Sequence, residues 1–209
     1  IHVENECFWR SDGTSFPVEY WSFPQRVDGK VSGAVVTFID VTERRVANEK
    51  IRQLSRAVEQ SPASIVITDR EGNIEYVNAK FVQTTGYLVK EAIGQNPRVL
   101  KSGEQPREFY KELWDTILEG KEWRGDFHNK TKDGKLYWES ALISPVKNEN
   151  EKITHFVAVK EDITEQKKVQ EEIRRQSALI TSLLDSIPDI IFFKDLNGVY
   201  MGCNPSFAA

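Results

Sequence analysis

The side chains that could do chemistry in this 209-residue chain are few and widely spaced. The three histidines, His2, His128 and His155, show no metal-ligand spacing, and Cys7 and Cys203 lie far apart without a CxxC motif. This pattern disfavours a zinc framework and indicates a reducing compartment. We expect all three histidines at the surface, with His128 facing outward on its strand.

Charged side chains suggest two further kinds of site, a catalytic carboxylate pair and a phosphate-binding set. Asp126 and Glu139 could form a catalytic carboxylate pair, but no nucleophile or metal cluster accompanies them, so ordinary strand charges are the preferred interpretation. Arg98, Lys101 and Arg107 could bind a phosphate, although scattered solvated charge is preferred. The sequence therefore predicts no enzymatic activity.

Composition narrows the class of protein and its partners. A net charge of −4 and the lack of an extended basic patch disfavour nucleic acid as a partner. The longest apolar runs are strand-sized, far below the roughly 20 residues that span a bilayer, and residues 1–4 do not resemble a signal peptide. With 39% hydrophobic residues for packed cores, we expect a soluble, cytoplasmic protein with no direct membrane insertion.

The elements that must position these residues are marked by a motif that occurs twice. Asp40-Val41-Thr42-Glu43 and Asp162-Ile163-Thr164-Glu165 each close an apolar run and open a charged one. The apolar runs have the β-branched composition of strands, and the charged runs suit helices. Thr42 and Thr164 are predicted N-caps, because a hydroxyl before a helix can accept a bond from an amide of its first turn. Each motif thus predicts a direct joint from strand to helix.

The two motifs lie 122 residues apart, and other features repeat at a similar spacing. Asp12-Gly13 corresponds to Asp133-Gly134, and Ser61-Pro62 to Ile187-Pro188. A repeat of this length predicts an array of domains, of which only the middle one is whole. The expected organisation is C-terminal strands of a first unit at 1–40, a linker helix at 43–60, a complete domain at 56–165, a linker helix at 165–187 and N-terminal strands of a further unit at 188–209.

Within the whole unit, two strand patterns precede several short helices and three longer strand patterns. Pro106 opens the clearest helix, and Gly120 ends it. The strands are predicted at 65–68, 74–77, 123–130, 136–146 and 153–161. This order is typical of an α+β domain with an antiparallel sheet.

Five short motifs accompany this order of elements: Tyr76-Val77-Asn78, Thr85-Gly86-Tyr87, Gly94-Gln95-Asn96-Pro97-Arg98, Lys132-Asp133-Gly134 and Asp162-Ile163-Thr164. Together with the order of elements, they resemble a PAS domain with its closing PAC motif. The resemblance implies a five-stranded antiparallel sheet with short helices on one face and a pocket that senses a small molecule, light or redox state. It also implies a tandem sensory segment of a bacterial two-component or other signalling protein, upstream of a histidine kinase or diguanylate cyclase domain outside this chain.

The residues can be compared with those of flavin-binding PAS domains, including the light-sensing LOV type. Asn96, Arg98 and Asn129 occupy positions that resemble polar contacts to the flavin ring or phosphate. Pro97 stands where LOV domains have the cysteine that forms a flavin adduct, so the resemblance excludes that photochemistry. FAD is therefore one possible cofactor, and an empty or self-filled pocket is another.

Glu139 and Lys160 replace two amides of the flavin-binding members by opposite charges. They lie on strands predicted to be adjacent and on the inward faces of both, so they could pair across the sheet. Such a pair would either close the pocket or offer two charged groups to which a polar ligand could bind. In the alternative, Lys160 extends to solvent. Trp114, expected in the core or at the rim, completes the candidate cofactor-binding set.

Haem, the other common PAS cofactor, is disfavoured. Haem-binding members resemble one another in taking the ligand from the region of the clear helix, and residues 107–119 contain no histidine.

Each linker helix carries an apolar seam with alternating steps of four and three residues, as in a coiled coil. This pattern predicts a parallel homodimer, although each seam could instead pack on its own domain. Trp138 and Leu142 should form an apolar outer face that a helix or a second subunit covers. The seam residues are Ala47, Ile51, Leu54, Val58 and Ser61, then Val169, Ile173, Gln176, Ile180, Leu183 and Ile187.

The sequence as a whole indicates a sensory and dimerisation module. It would bind a small ligand or cofactor and relay a signal through the linker helices to an output domain outside the chain. A flavin redox sensor and a structural spacer without ligand are the alternatives.

Overall fold

The computed structural model describes residues 1–208. They fall into two compact units, residues 1–60 and the chain from Ser61 onward. Only Ala209, the last residue of the predicted 188–209 segment, lies outside the described residues.

The first unit is a three-stranded antiparallel sheet followed by a helix. The strands β1 (His2–Trp9), β2 (Ser15–Val27) and β3 (Lys30–Asp40) pair in chain order, and α1 (Thr42–Glu59) follows directly. Four aromatic rings gather on one face of this sheet with centroids 5.2 to 6.4 Å apart. They belong to Phe8, Phe16, Tyr20 and Phe38.

The second unit contains the five-stranded antiparallel sheet that the sequence predicts, in the order β5-β4-β8-β7-β6. Its α+β architecture confirms the predicted fold class. The elements are β4 (Ser64–Asp69), β5 (Ile74–Val77), α2 (Ala79–Thr85), α3 (Val89–Ala92), a 3₁₀ helix (Pro97–Leu100), α4 (Arg107–Leu118), β6 (Trp123–Lys130), β7 (Leu136–Lys147) and β8 (Ile153–Asp162).

Alternation along β7 shows why one face of the sheet becomes the core. Tyr137, Glu139, Ala141 and Ile143 are all buried, because every second side chain of a strand points to the same face. Leu113 and Ile117 of α4 are buried in the same core cluster. The helices therefore cover one face of the sheet, and the polar residues that share this face are enclosed with the core.

Asn78 ties the start of α2 to the beginning of β4 through hydrogen bonds of its side chain. Its Oδ1 accepts hydrogen bonds from Phe81 N at 3.1 Å and from Ile65 N at 2.9 Å, and its Nδ2 donates to Ala63 O at 2.9 Å. The helix that it caps ends at Gly86, whose φ of 77° is the left-handed conformation that glycine adopts without strain.

The strand-to-helix joints occur where the motifs predict them, but the caps predicted at Thr42 and Thr164 are wrong. The N-caps are Val41 and Ile163, and neither makes a side-chain bond to its helix. Thr164 is instead the first residue of α5 (Thr164–Ser186), and its Oγ1 accepts a hydrogen bond from the backbone N of Trp138 at 2.9 Å. The hydroxyl points to β7 and ties the start of the helix to the sheet.

After α5 come β9 (Phe192–Lys194), β10 (Tyr200–Cys203) and α6 (Pro205–Ala208). Asn204 is buried between them. Its Oδ1 accepts from Ile191 N at 2.9 Å and its Nδ2 donates to Asp189 O at 2.8 Å. In the described part of the chain, no helix combines the length and the apolar composition needed to cross a membrane.

Candidate ligand-binding site

A cavity of about 300 Å³ lies between the inner face of the five-stranded sheet, α4 and the 3₁₀ helix. Its volume is at the lower end of the range of about 300 to 1,000 Å³ that is usual for sites of small organic ligands. The lining residues are Val66, Thr68, Gly72, Asn96, Pro97, Arg98, Lys101, Tyr110, Lys111, Leu113, Trp114, Ile117, Phe127, Asn129, Ile143, Phe156, Ala158 and Lys160.

The wall of the cavity is mostly apolar and aromatic. Trp114 of α4 meets Phe156 of β8 edge to face, with ring centroids 5.9 Å apart. Ile117 and Phe127 are buried beside them in the core cluster. Trp114, predicted for the core or rim, thus lies on the cavity, which suits the apolar body of a ligand.

Glu139 and Lys160 form an ion pair inside the domain. Lys160 Nζ lies 2.5 Å from Glu139 Oε1, and the side chains are only 6% and 2% exposed. The strands β7 and β8 are neighbours, and Lys160 pairs with Ala141, two residues from Glu139 on the same face. The structure confirms the predicted pairing, and the alternative in which Lys160 extends to solvent is wrong.

Two further buried groups satisfy the carboxylate of Glu139. Asn129 Nδ2 donates to Oε1 at 2.9 Å, and the Tyr137 hydroxyl donates to Oε2 at 3.2 Å. Burial, followed by the nearby Glu139 charge, raises the pKa of Tyr137 far above its usual value. Tyr137 therefore stays a hydrogen-bond donor at all ordinary pH values.

This network corrects the interpretation of Glu139 as an ordinary strand charge. Glu139 is buried and is absent from the cavity lining, whereas Lys160 and Asn129 line it. Tyr137 was not among the predicted site residues, although its position two residues before Glu139 places both side chains on one face of β7.

Both ends of the Asn96 side-chain amide are already hydrogen-bonded. Its Nδ2 donates to Gly72 O at 2.9 Å, and its Oδ1 accepts from Arg98 Nε at 2.9 Å. A Cβ on Gly72, whose φ is +86°, would come within 2.8 Å of Asn96 and 2.9 Å of Trp114. Asn96 and Arg98 therefore line the cavity, as predicted. The side-chain amide of Asn96, however, is already hydrogen-bonded to Gly72 and Arg98.

Arg98 and Lys101 are two neighbouring cations that line the cavity. Lys101 is partly buried, with Nζ 3.3 Å from the centroid of the Tyr110 ring. Burial, and then the charge of Arg98, lower the pKa of Lys101. Neither cation has a carboxylate partner among the described residues. Arg107 does not line the cavity, so the predicted basic set is brought together only in part.

The outer face of the sheet carries a separate stack. The rings of His128 and Trp138 lie parallel with centroids 4.4 Å apart, which confirms that both face away from the cavity. Glu104 Oε2 lies 2.7 Å from His128 Nδ1. Lys167 of α5 lies 5.2 Å from the Trp138 ring and 2.8 Å from Asp126, and its hydrogen bond to the Asp126 carboxylate lowers the pKa of Asp126. The start of α5 therefore covers part of this face.

One cluster in the first unit was not visible in the sequence. His2 Nε2 lies 2.9 Å from Glu19 and 3.8 Å from Glu4, which puts three possible metal ligands within reach of one another. The cluster is largely exposed, and Arg44 already pairs with Glu19 at 2.7 Å. It is best described as a surface ion-pair network.

Comparisons with known proteins point to one family. A family model described as "PAS domain" matches residues 62–165. A nitrogen fixation regulatory protein of Klebsiella pneumoniae is 36% identical over 138 residues, which are 66% of this chain and 28% of the regulator. A blue-light-activated histidine kinase of Brucella anthropi is 33% identical over 122 residues, 56% of this chain and 24% of the kinase. The chain thus spans less than a third of either relative.

A solved structure gives the same result for the fold. The crystal structure of the PAS domain of a protein from Colwellia psychrerythraea superposes with a TM-score of 0.52 at 26% identity. The match covers 56% of this chain and 98% of that structure.

Proposed function

Residues 62–165 of this chain belong to the PAS domain family, and we propose that this domain binds a small ligand in its cavity and passes the signal through α5 to an output domain outside the chain. The domain is a sensory signalling module, in keeping with relatives that include a regulatory protein and a histidine kinase. The proposed function consists of ligand binding and signal relay, and it involves no chemical reaction.

The observation that supports ligand binding is the cavity itself. About 300 Å³ remains between an aromatic wall and a set of polar groups on the sheet. A purely structural domain would fill this space with its own side chains, because protein interiors are packed to the density of organic crystals. The cavity therefore favours a sensor over a structural spacer.

The test compares two substitutions on neighbouring residues of β8. Ala158 lines the cavity, whereas Val159 points away from it and is 37% exposed. We would purify the full chain, record its visible spectrum, denature it and identify released small molecules by mass spectrometry. Ala158→Leu should obstruct part of the cavity and sharply reduce recovery of the ligand, and Val159→Leu should leave recovery unchanged. Wild-type protein that releases nothing under any expression condition would favour the spacer.

A flavin is the second candidate, because Arg98 and Asn129 line the cavity where flavin-binding members have polar contacts. The fit is partial: Asn96 is held by Gly72 and Arg98, and Pro97 and Lys160 depart from the pattern. FAD would be recognised by a yellow protein with a flavin-like spectrum. Among the described lining residues there is no histidine, cysteine or methionine to ligate haem iron.

Dimerisation through the linker helices is also part of the proposal. Val169, Ile173, Ile180 and Leu183 are each more than half exposed along one seam of α5. A second copy in parallel register would bury this seam. The pair Ile180→Ser and Leu183→Ser should convert a dimer to a monomer in light-scattering measurements, whereas Arg175→Ser, outside the seam, should not. A wild-type chain that is monomeric at all concentrations would contradict it.

The flanking segments complete the proposed organisation. We propose that 1–40 and 188–209 are parts of neighbouring domains of the same kind, joined by linker helices at 43–60 and 165–187. Support comes from Asn204, which binds Ile191 and Asp189 as Asn78 binds Ile65 and Ala63. The output domain, kinase or cyclase, would follow elsewhere in the protein.

A further inference from the structure

On its sheet side the cavity is lined by the polar side chains of Thr68, Asn129 and Lys160, of which only Lys160 is charged. Lys160 lines the cavity and has three ammonium protons, of which the contact with Glu139 uses one. The oxygens of Glu139 are already engaged by Lys160, Asn129 and Tyr137. Among the described residues that line the cavity there is no aspartate or glutamate.

Glu139 makes Lys160 a fixed donor. A lysine side chain is ordinarily flexible and can extend to water. Here the ammonium is held at 2.5 Å by a carboxylate that is itself 2% exposed, and it lies 5.2 Å from the centroid of the Phe127 ring. The ammonium thus has a set position beside an aromatic wall.

We propose that the sheet side of the cavity recognises an oxygen acceptor of the ligand, a carbonyl or a carboxylate, through Lys160 Nζ, with Glu139 as the positioning residue behind it. This inference rests on the proposed function and specifies its ligand class: a flat apolar body that carries an acceptor group without a proton. A ligand with an N–H or O–H donor at that point faces an ammonium and finds no acceptor carboxylate, so it is disfavoured.

The balance of charge allows the acceptor to be anionic. Glu139 neutralises Lys160, and Lys111 pairs with Asp115 at 2.5 Å. Arg98 and Lys101 remain without carboxylate partners among the described residues. The cavity therefore carries two uncompensated positive charges, which can offset the charge of an acidic ligand.

The experiment uses two probes with the same ring system and opposite hydrogen-bonding groups. Binding of 1-naphthoate and of 1-aminonaphthalene to the full chain is measured by calorimetry, after unfolding and refolding to remove any copurified ligand. The test variant is Glu139→Gln combined with Lys160→Met, which removes both charges together. The matched control is Glu149→Gln with Lys152→Met, which makes the same changes at exposed positions.

Wild-type protein and the control should bind naphthoate at least about tenfold more tightly than aminonaphthalene, the scale expected for one hydrogen bond to a charged group. The test variant should lose this preference. A preference that survives in the test variant would overturn the inference and place the acid at Arg98 and Lys101. Equal binding of both probes by wild type, or binding of neither, also overturns it. The recovery of a copurified ligand tests the proposed function separately, so the two failures are distinguishable.

Discussion

Replacing Lys160 by methionine should destabilise the domain strongly, because it leaves a buried carboxylate without its cation. Glu139 is 2% exposed, so bulk water solvates its carboxylate poorly. Removal of one partner from a buried pair costs about 3 to 5 kcal/mol, compared with about 0 to 1 kcal/mol for an exposed pair. Asn129 and Tyr137 still donate to the carboxylate. We therefore expect a loss of about 3 kcal/mol in the free energy of unfolding, at the lower end of that range.

The measurement must report on this domain alone, because the chain has two compact units and need not unfold in one step. Hydrogen exchange of the full chain at increasing urea, read from peptides of β7 and β8, meets this requirement. The double variant Glu139→Gln, Lys160→Met should recover at least about 1 kcal/mol relative to Lys160→Met, since no unpaired charge is left. A cost below about 1 kcal/mol, or a double variant as unstable as the single one, would show that the pair is hydrated and would refute the reasoning.

Three further substitutions test other parts of the structure. Gly72→Ala should cost about 1 to 3 kcal/mol in thermal denaturation, because φ is +86° and the new Cβ would meet the cavity wall at 2.8 Å; an unchanged melting temperature would contradict this geometry. Thr164→Val should cost about 1 kcal/mol and speed exchange in the first turn of α5, because the backbone N of Trp138 loses its acceptor. Lys167 lowers the pKa of Asp126, so the contribution of this pair should be complete above the unfolded-state value of about 3.9 and disappear as the pH falls through the lower folded-state value. Asp126→Asn should accordingly destabilise the attachment of α5 by less than about 1 kcal/mol at pH 7 and not at all at about pH 2, since both side chains are 38% exposed; equal costs at both pH values would count against the ion pair.

The strands and helices around the cavity were predictable because their signals are local. Alternation along β7 and β8 placed Glu139 and Lys160 inward, and the step pattern after Pro106 located α4. The role of Thr164 was not predictable in this way. Its partner, Trp138, is 26 residues earlier in the chain and comes close only when β7 lies beside β8. A local pattern therefore favoured a cap where a tertiary contact is formed.

The candidate site was predictable in position and less so in detail. Alternation identified Asn129 as inward, but it could not show that its amide is bonded to Glu139. The hydrogen bond from Asn96 Nδ2 to Gly72 O could not be predicted either, because the two residues are 24 positions apart. The cavity volume depends on how closely α4 approaches the sheet, and side-chain packing decides that distance. Sequence pattern thus assigns a residue to a face, and only the structure shows its partner.

Both members of the buried pair are close to the start of α5, by different routes. Lys160 is two residues before Asp162, the end of β8, and Asp162 Oδ1 accepts from Thr164 N at 2.9 Å. Glu139 follows Trp138 directly, and the backbone of Trp138 accepts from Ile163 N at 2.9 Å and donates to the Thr164 hydroxyl at 2.9 Å. Under the proposed function, a ligand that binds Lys160 Nζ would therefore act on two adjacent strands that hold the same helix terminus. Because the first turn of α5 is tied to both strands, a shift between them must tilt the helix or break one of these hydrogen bonds, and either change would reach the exposed seam that begins at Val169.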